Sequence, residues 1–263
     1  MKLKILHDKN QIERFYRRHE SLHFYEIGDL DNFYWNHTIW YGLESESQIK
    51  SIVLLYTGFP LPVLLALSDK ANLENTKILL KSVRHLLPQR IYAHLSPNLN
   101  QILSEKYALE LHGNHLKMVL SDNRKLHKID TNSAVRLTPS DTEELKILYE
   151  KSYPENSFDP RMLDTGEFFG IKQDDTIVSV AGIHVYSEEY KIAAIGNITT
   201  HPDFRGHGFG TTVTARLCKS LLKKVETIGL NVKSDNIYAI KSYQTLGFEK
   251  VDEYFEYRSS PGV

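Results

Sequence analysis

Apolar residues fall along the chain in two rhythms, alternation and helical spacing, and the switches between them mark out the elements. The longest uncharged run, Ser51 to Ser68, is apolar enough to raise the question of a membrane span. Gly58, Pro60 and Pro62 interrupt it, and neither half reaches the ~20 residues a spanning helix needs. The pattern therefore predicts two buried strands around a turn. A first helix is expected over Gln11 to His19. In the second half Val135–Leu137 reads as a short strand. Ser140 or Asp141 then caps a helix carrying Leu145, Leu148 and Tyr149 at helical spacing. A short helix is expected after Pro160, with strands at 168–173, 176–186 and 190–200. Val213, Leu217, Leu221 and Val225 recur every four residues and place a helix over 208–225. Ile228, Leu230 and Val232 alternate as a strand, and a helix over 236–246 and a last strand over 248–257 follow.

The two halves echo one another. Tyr41-Gly42-Leu43, with Ile49, Ser51, Ile52 and Val53, matches Phe169-Gly170-Ile171, with Ile177, Ser179, Val180 and Ala181, at a constant offset of 169 − 41 = 128. Further on, Ile91–Leu95 matches Ile228–Val232 at an offset of 137, so the second half carries nine extra residues in between. Between the halves lies a polar, turn-rich stretch, SDNRKLHKIDTNSA, over 121–134. It predicts a domain over 1–121, a linker over 122–133 and a second domain over 134–263.

With 263 residues, 41% hydrophobic and 25% charged, the chain has the composition of a globular protein with room for a full core. Thirty-two Lys and Arg against 33 Asp and Glu leave a formal charge of −1. That balance counts against a nucleic-acid partner. A single cysteine, Cys218, excludes an internal disulfide and fits a reducing compartment. No targeting or spanning segment is recognised, so no membrane partner is expected and the cytoplasm is the expected location. The oligomeric state is open between monomer and homodimer.

The densest chemical signal is Thr199-Thr200-His201-Pro202-Asp203-Phe204-Arg205-Gly206-His207-Gly208-Phe209-Gly210-Thr211. A strand ends here, three alternating glycines follow, and an amphipathic helix begins. Glycines let backbone N–H groups face inward. The helix adds unpaired N–H donors and the positive end of its dipole. Together they make an anion site sized for a pyrophosphate, with Arg205 at its entrance. The run is no dinucleotide fingerprint, because Thr211 stands where the third glycine would, and no Gly-Lys-Ser/Thr follows.

Downstream, Asn236, Ala239, Tyr243, Leu246, Gly247 and Phe248 form Asn-x-x-Ala-x-x-x-Tyr-x-x-Leu-Gly-Phe. With the Arg-x-x-Gly-x-Gly loop from Arg205 to Gly210, this run makes residues 134–258 resemble the GNAT superfamily of N-acetyltransferases. The resemblance implies an α/β (α+β) chain of tandem GNAT-like folds. Each would be a mixed, mostly antiparallel twisted sheet flanked by helices, with a splayed parallel strand pair in the C-terminal domain. It implies acetyl-CoA as cosubstrate, a small amine or peptide as acceptor, and no metal. The pantetheine arm would pair with the backbone of Ile198, Thr199 and Thr200. The pyrophosphate would sit on Arg205, Gly206, His207, Gly208, Phe209, Gly210 and Thr211. Asn236 would fix the turn and touch the CoA arm, and Tyr243 would protonate the leaving thiolate as general acid. A non-catalytic CoA-binding or regulatory module with the same fold is the alternative.

No carboxylate lies on the strand before the loop, so the general base is open among Asn197, Glu188, Glu189, His184 and Tyr186, with His201 read as a loop residue. The first half has neither the loop nor the Asn…Tyr…Gly-Phe run and is expected to be a degenerate copy unable to bind CoA. Its aromatic cluster, Phe24, Tyr25, Phe33, Tyr34, Trp35, Trp40 and Tyr41, reads as core ahead of acceptor surface. His19-Glu20-Ser21-Leu22-His23 spells the His-Glu-x-x-His zinc signature. Glu26 stands where the extended motif needs glycine, so solvent-facing histidines are the expectation.

Overall fold

The computed structural model describes residues 1–261. Its chain packs as two compact units. The first takes residues 1–117, returns for 232–235, and resumes from Val251; the second takes 118–231 and 236–250.

In the first unit β1 (Lys2–Leu6) leads through α1 (Lys9–Tyr16), α2 (Phe24–Gly28) and α3 (Asn32–Trp35) to the hairpin β2 (Thr38–Ser45) and β3 (Gln48–Tyr56). Then come β4 (Val63–Ala66), α4 (Leu73–Val83), β5 (Tyr92–Leu95), α5 (Asn100–Leu103) and β6 (Tyr107–Leu120), whose residues from Met118 belong to the second unit. The predicted turn within 51–68 is thus the β3–β4 connection. Strands β1 to β4 pair antiparallel in sequence order, and β4 pairs parallel with β5. Leu79, Leu80 and Val83 of α4 pack against Val53, Leu55, Leu64, Ala66, Ala93 and Leu95, closing the core on one face. Of the aromatic cluster, Phe24, Tyr34, Trp40 and Tyr41 are buried, while Phe33 is exposed.

The second unit repeats this plan. Its elements are β7 (Val135–Arg136), α6 (Thr142–Ser152), β8 (Phe169–Gln173), β9 (Thr176–Ser187), β10 (Ile192–Thr200), α7 (Phe209–Leu221), β11 (Thr227–Lys233) and α8 (Ile237–Leu246). β7 to β10 pair antiparallel in order, and β10 pairs parallel with β11. Gly42 and Gly170, the glycines of the repeated tripeptide, share one packing reason. A Cβ on Gly42 would lie 2.8 Å from Leu6 Cδ1, and one on Gly170 would lie 3.0 Å from Leu137 Cδ1. Each glycine makes room for a leucine at the end of its unit's first strand. α7 buries Val213, Leu217 and Leu221 as its spacing predicts, and Cys218 beside them, but ends at Leu221, short of 225. Residues 122–133, predicted as a linker, form a 3-10 turn over Asn123–Lys128 that is fastened to the second unit. Leu126 is buried, the N–H groups of Ser121 and Asp122 donate to Gly247 O, and Lys219 Nζ donates to Ile129 O. Among the described residues no helix is long and apolar enough to cross a membrane.

The last strand, β12 (Phe248–Pro261), runs on to Pro261, past the predicted 257, because its length from Val251 belongs to the first unit. There it pairs antiparallel with β5, Phe255 opposite Leu95 and Arg258 opposite Tyr92. It brings Glu256 into a buried polar cluster. The Glu256 carboxylate accepts hydrogen bonds from Tyr254 Oη at 2.7 Å and from Tyr92 Oη. His94 Nε2 and His115 Nε2 lie 3.5 and 3.6 Å from it. Close by, Lys117 is buried with its ammonium 4.2, 5.1 and 5.5 Å from the ring centres of Phe24, Tyr25 and Tyr254. Burial alone would raise the Glu256 pKa, but His94, His115 and the two phenols overcome it and hold the carboxyl at about 2. Burial lowers the pKa of Lys117 to about 8 against the pull of Glu26, Asp252 and Glu256.

This cluster predicts an acid-sensitive first unit. Glu256 is depressed in the folded state, so the unfolded chain takes up its proton first. The stabilisation is complete above the ordinary value of 4.5 and is lost as the pH falls toward about 2, a change of about 3 kcal/mol. Burial also lowers the pKa values of His94 and His115, so their protonation acts in the same direction at higher pH. Urea unfolding should show a midpoint that falls as the pH is lowered, and Glu256→Gln should flatten the part of that slope below about pH 5. An equal slope in both proteins would remove Glu256 from this role.

Candidate active site

The site is built around β10. Its parallel ladder with β11 runs for four pairs, from Ile192–Thr227 to Ile195–Leu230, and stops. Among the described residues, the edge of β10 toward β11 has no ladder partner from Gly196 to Thr200. On the other side, the register with β9 shifts between Ala194 and Ile195 and again between Gly196 and Thr199. Asn197 sits in this bulge at φ +52°, a left-handed conformation that asparagine tolerates better than most residues. The smooth strand expected over 190–200 therefore starts at Ile192 and is broken in its second half. The Gly196-Asn197 pair was the available signal, since a glycine inside a strand pattern often marks a bulge.

The loop beyond β10 turns through a 3-10 segment, Pro202–Phe204, which His201 caps by accepting from the Asp203 N–H at 3.3 Å. Arg205 Nε donates to Thr200 O at 3.2 Å and ties the loop back to the strand end. Gly206 and Gly208 have φ +82° and +79°, and a Cβ on either would meet nothing within 4 Å. These two glycines are required by backbone conformation, while the space above them is open. Gly208 is the N-cap of α7; it offers no side-chain cap, and no acidic residue occupies the first turn. The first-turn N–H groups at Phe209, Gly210 and Thr211 thus face an exposed surface with the positive end of the helix dipole. Thr211 Oγ1 lies 2.7 Å from Ser242 Oγ and joins the start of α7 to α8.

Asn236 caps α8, its side chain accepting from the Ala239 N–H at 3.1 Å. Tyr243 is buried on the inner face of α8 with its ring 5.9 Å from Phe248. Burial, then the neighbouring Tyr153 and Cys218, push its phenol pKa up, so it keeps its proton at neutral pH. Gly247 ends α8 at φ +101°, and a Cβ there would overlap the carbonyl of Asp122. The Leu-Gly-Phe run is thus shaped by the segment that follows β6.

The candidate bases scatter. Glu188 pairs with Lys224 at 3.2 Å and accepts from Tyr186, and Tyr186 lies opposite Ala193, at the end of β10 away from the loop. His184 Nε2 accepts the Asn197 N–H at 3.1 Å, which occupies that nitrogen's lone pair. Sequence reasoning missed Tyr149 of α6, whose hydroxyl donates to Asn197 O at 2.8 Å; its spacing marked it as core. In the zinc-like motif the two histidines part company. His19, on a 3-10 turn, pairs with Asp69 at 2.8 Å, and the buried His23 pairs with Glu26 at 2.9 Å. Burial of His23 departs from the expectation of two solvent-facing rings.

The first unit carries the same four-pair parallel ladder, Val63–Tyr92 to Ala66–Leu95. There the ladder is sewn shut. The Ser96 N–H donates to Ala66 O at 3.1 Å, and Ser96 Oγ both accepts the Ser68 N–H at 2.9 Å and donates to Ser68 O at 3.2 Å.

Residues 134–248 match the model of the Acetyltransferase (GNAT) family. No curated protein matches the chain. Among solved structures, a Drosophila protein superposes with a TM-score of 0.74 at 12% identity over 99% of each chain. An acetyltransferase from the GNAT family of Colwellia psychrerythraea gives 0.59 at 12% identity, covering 99% of this chain and 100% of that one. A tandem GNAT protein from the clavulanic acid biosynthesis pathway gives 0.58 at 13% identity, covering 100% and 99%. The chain therefore has the fold of GNAT proteins, a tandem one included.

Two glycines should separate shape from space. Gly247→Ala meets both a positive φ and the Asp122 carbonyl and should cost ~2 kcal/mol or more in urea unfolding. Gly206→Ala, with open space above it, should cost only ~1 kcal/mol for its φ. Equal losses would contradict the crowding at Gly247.

Proposed function

From a GNAT acetyltransferase domain at residues 134–248, we propose that the chain transfers an acetyl group from acetyl-CoA to a primary amine by direct attack. The observation that carries this reading is the free edge of β10 running into an uncapped helix N-terminus. An extended pantetheine amide can pair with the backbone of Ile198, Thr199 and Thr200 as a strand would. The diphosphate then falls on the N–H groups from Gly206 to Thr211, beside Arg205.

The chemistry follows from that placement. Holding amine and thioester in line removes much of the entropic barrier. A backbone N–H at Ile198 or Thr199 stabilises the tetrahedral oxyanion. As the C–S bond breaks, the thiolate takes a proton from Tyr243, whose buried phenol is still protonated at neutral pH; the amine nitrogen sheds one proton to water as the amide forms, and water returns one to the phenol. Asn236 holds the start of α8, and so the depth at which Tyr243 stands. The first unit, with its ladder closed by Ser96, offers no second crevice for CoA.

Two substitutions test the reading. Gly208→Glu adds a charged side chain at a strained φ beside the phosphates, and calorimetry should show CoA affinity falling by about a hundredfold or more. Retained affinity would displace the phosphate assignment. Tyr243→Phe should lower kcat by about a hundredfold while CoA affinity stays within a few fold. CoA binding with no thiol release from acetyl-CoA across an amine panel would leave a binding module in place of an enzyme.

A further inference from the structure

The bulge in β10 is held from three sides. The Asn197 N–H donates to His184 Nε2 at 3.1 Å, the Asn197 carbonyl accepts from Tyr149 Oη at 2.8 Å, and Asn197 Nδ2 donates to Ile183 O at 3.1 Å. Asn197 is 1% exposed, so these bonds form away from competing water. Gly196 makes the first of them possible. A Cβ at position 196 would overlap the His184 imidazole, which lies directly against the strand. Tyr149 comes from α6, 48 residues earlier in the chain, and its ring packs 5.3 Å from Phe158. Burial pushes its phenol pKa well up, so it remains a donor.

A peptide group is planar, and its N–H and C=O point in opposite directions. The Asn197 C=O and the Ile198 N–H belong to one such group. Gripping that oxygen from one side therefore sets the direction of the Ile198 N–H on the other. Ile198 also lies in the stretch that the β9 register skips, between the Gly196–Gly182 and Thr199–Val180 pairs. A hydrogen bond to the carbonyl further polarises the amide and strengthens its N–H as a donor.

We infer that Tyr149 and His184 are positioning residues that clamp the Asn197 bulge and aim the Ile198 N–H at the thioester oxygen. This rests on the transferase reading above. Neither side chain touches the reacting atoms, and His184, with its Nε2 lone pair engaged by the backbone, serves as an acceptor with its proton on Nδ1. The clamp has no counterpart on β4, which stops at Ala66 after its four ladder pairs.

The experiment has two arms on the full chain. In the free wild-type protein, NMR should show a through-hydrogen-bond coupling between His184 Nε2 and the Asn197 amide nitrogen, with the Nδ1–H tautomer. In steady state, Tyr149→Phe keeps the ring and removes the hydroxyl; kcat should fall about tenfold. The KM for acetyl-CoA and the CoA affinity should stay within twofold, a split that general loosening of the fold would not give. The Ile198 amide resonance should move in the same variant. His184→Gln, which retains an acceptor, should keep more kcat than His184→Leu. If wild type turns over and Tyr149→Phe has the same kcat, or the coupling is absent, the clamp is overturned while the transferase reading stands. If wild type releases no thiol with any amine, the transferase reading falls and takes this one with it.

Discussion

Parallel pairing between β10 and β11 lasts four residues and then gives out. The candidate site depends on that interruption. Backbone N–H and C=O groups need partners, so an unpaired strand edge is either a defect or a place for another chain-like molecule. Here the edge leads straight to a loop at positive φ and a helix with an open N-terminus. A ligand with an amide-bearing arm and a diphosphate matches that succession of groups. The bulge at Asn197 removes β10 from its regular register, and His184, Tyr149 and Ile183 hold it there through the Asn197 N–H, C=O and Nδ2.

The two units show how little separates a crevice from a closed sheet. Both have the same strand order, the same parallel ladder of four pairs, and the same glycine making room for a leucine. In the first unit one serine, Ser96, continues the hydrogen bonding past the ladder and ties the two strand ends together. In the second, β10 runs five residues further, Gly196 to Thr200, before the glycine loop. Between the first ladder partners the second unit has 227 − 192 = 35 residue steps against 92 − 63 = 29 in the first, so the offset count of nine extra residues becomes six by register.

The first unit uses its polar residues differently. Its buried charges, Glu256, Lys117 and Glu26, are neutralised by one another and by histidines, phenols and aromatic rings. A buried carboxylate with two phenol donors and two imidazoles is costly to disturb, because each partner left behind would be unsatisfied in a dry interior. The cluster holds the length of β12 from Val251 in the sheet of the first unit, beside β5.

Local patterns in the sequence carried most of the fold. Alternation and four-residue spacing located the strands and helices of the second half to within a few residues, because burial on one face is a property of consecutive positions. The 128-residue offset announced the duplicated plan, and the glycine loop and the Asn236 cap were legible because positive φ and capping are local requirements. Only the tertiary structure decided the rest. Tyr149 reads as an ordinary core residue until its hydroxyl is seen on Asn197, and His184 reads as a base until its ring is seen against Gly196. Ser96 is an unremarkable turn residue until it closes a sheet, and Glu256 an exposed-looking strand residue until Tyr92, His94 and His115 surround it. In each case the partner lies 12 or more residues away along the chain. Periodicity records which face of an element is buried; it holds no record of which distant atom will meet it there.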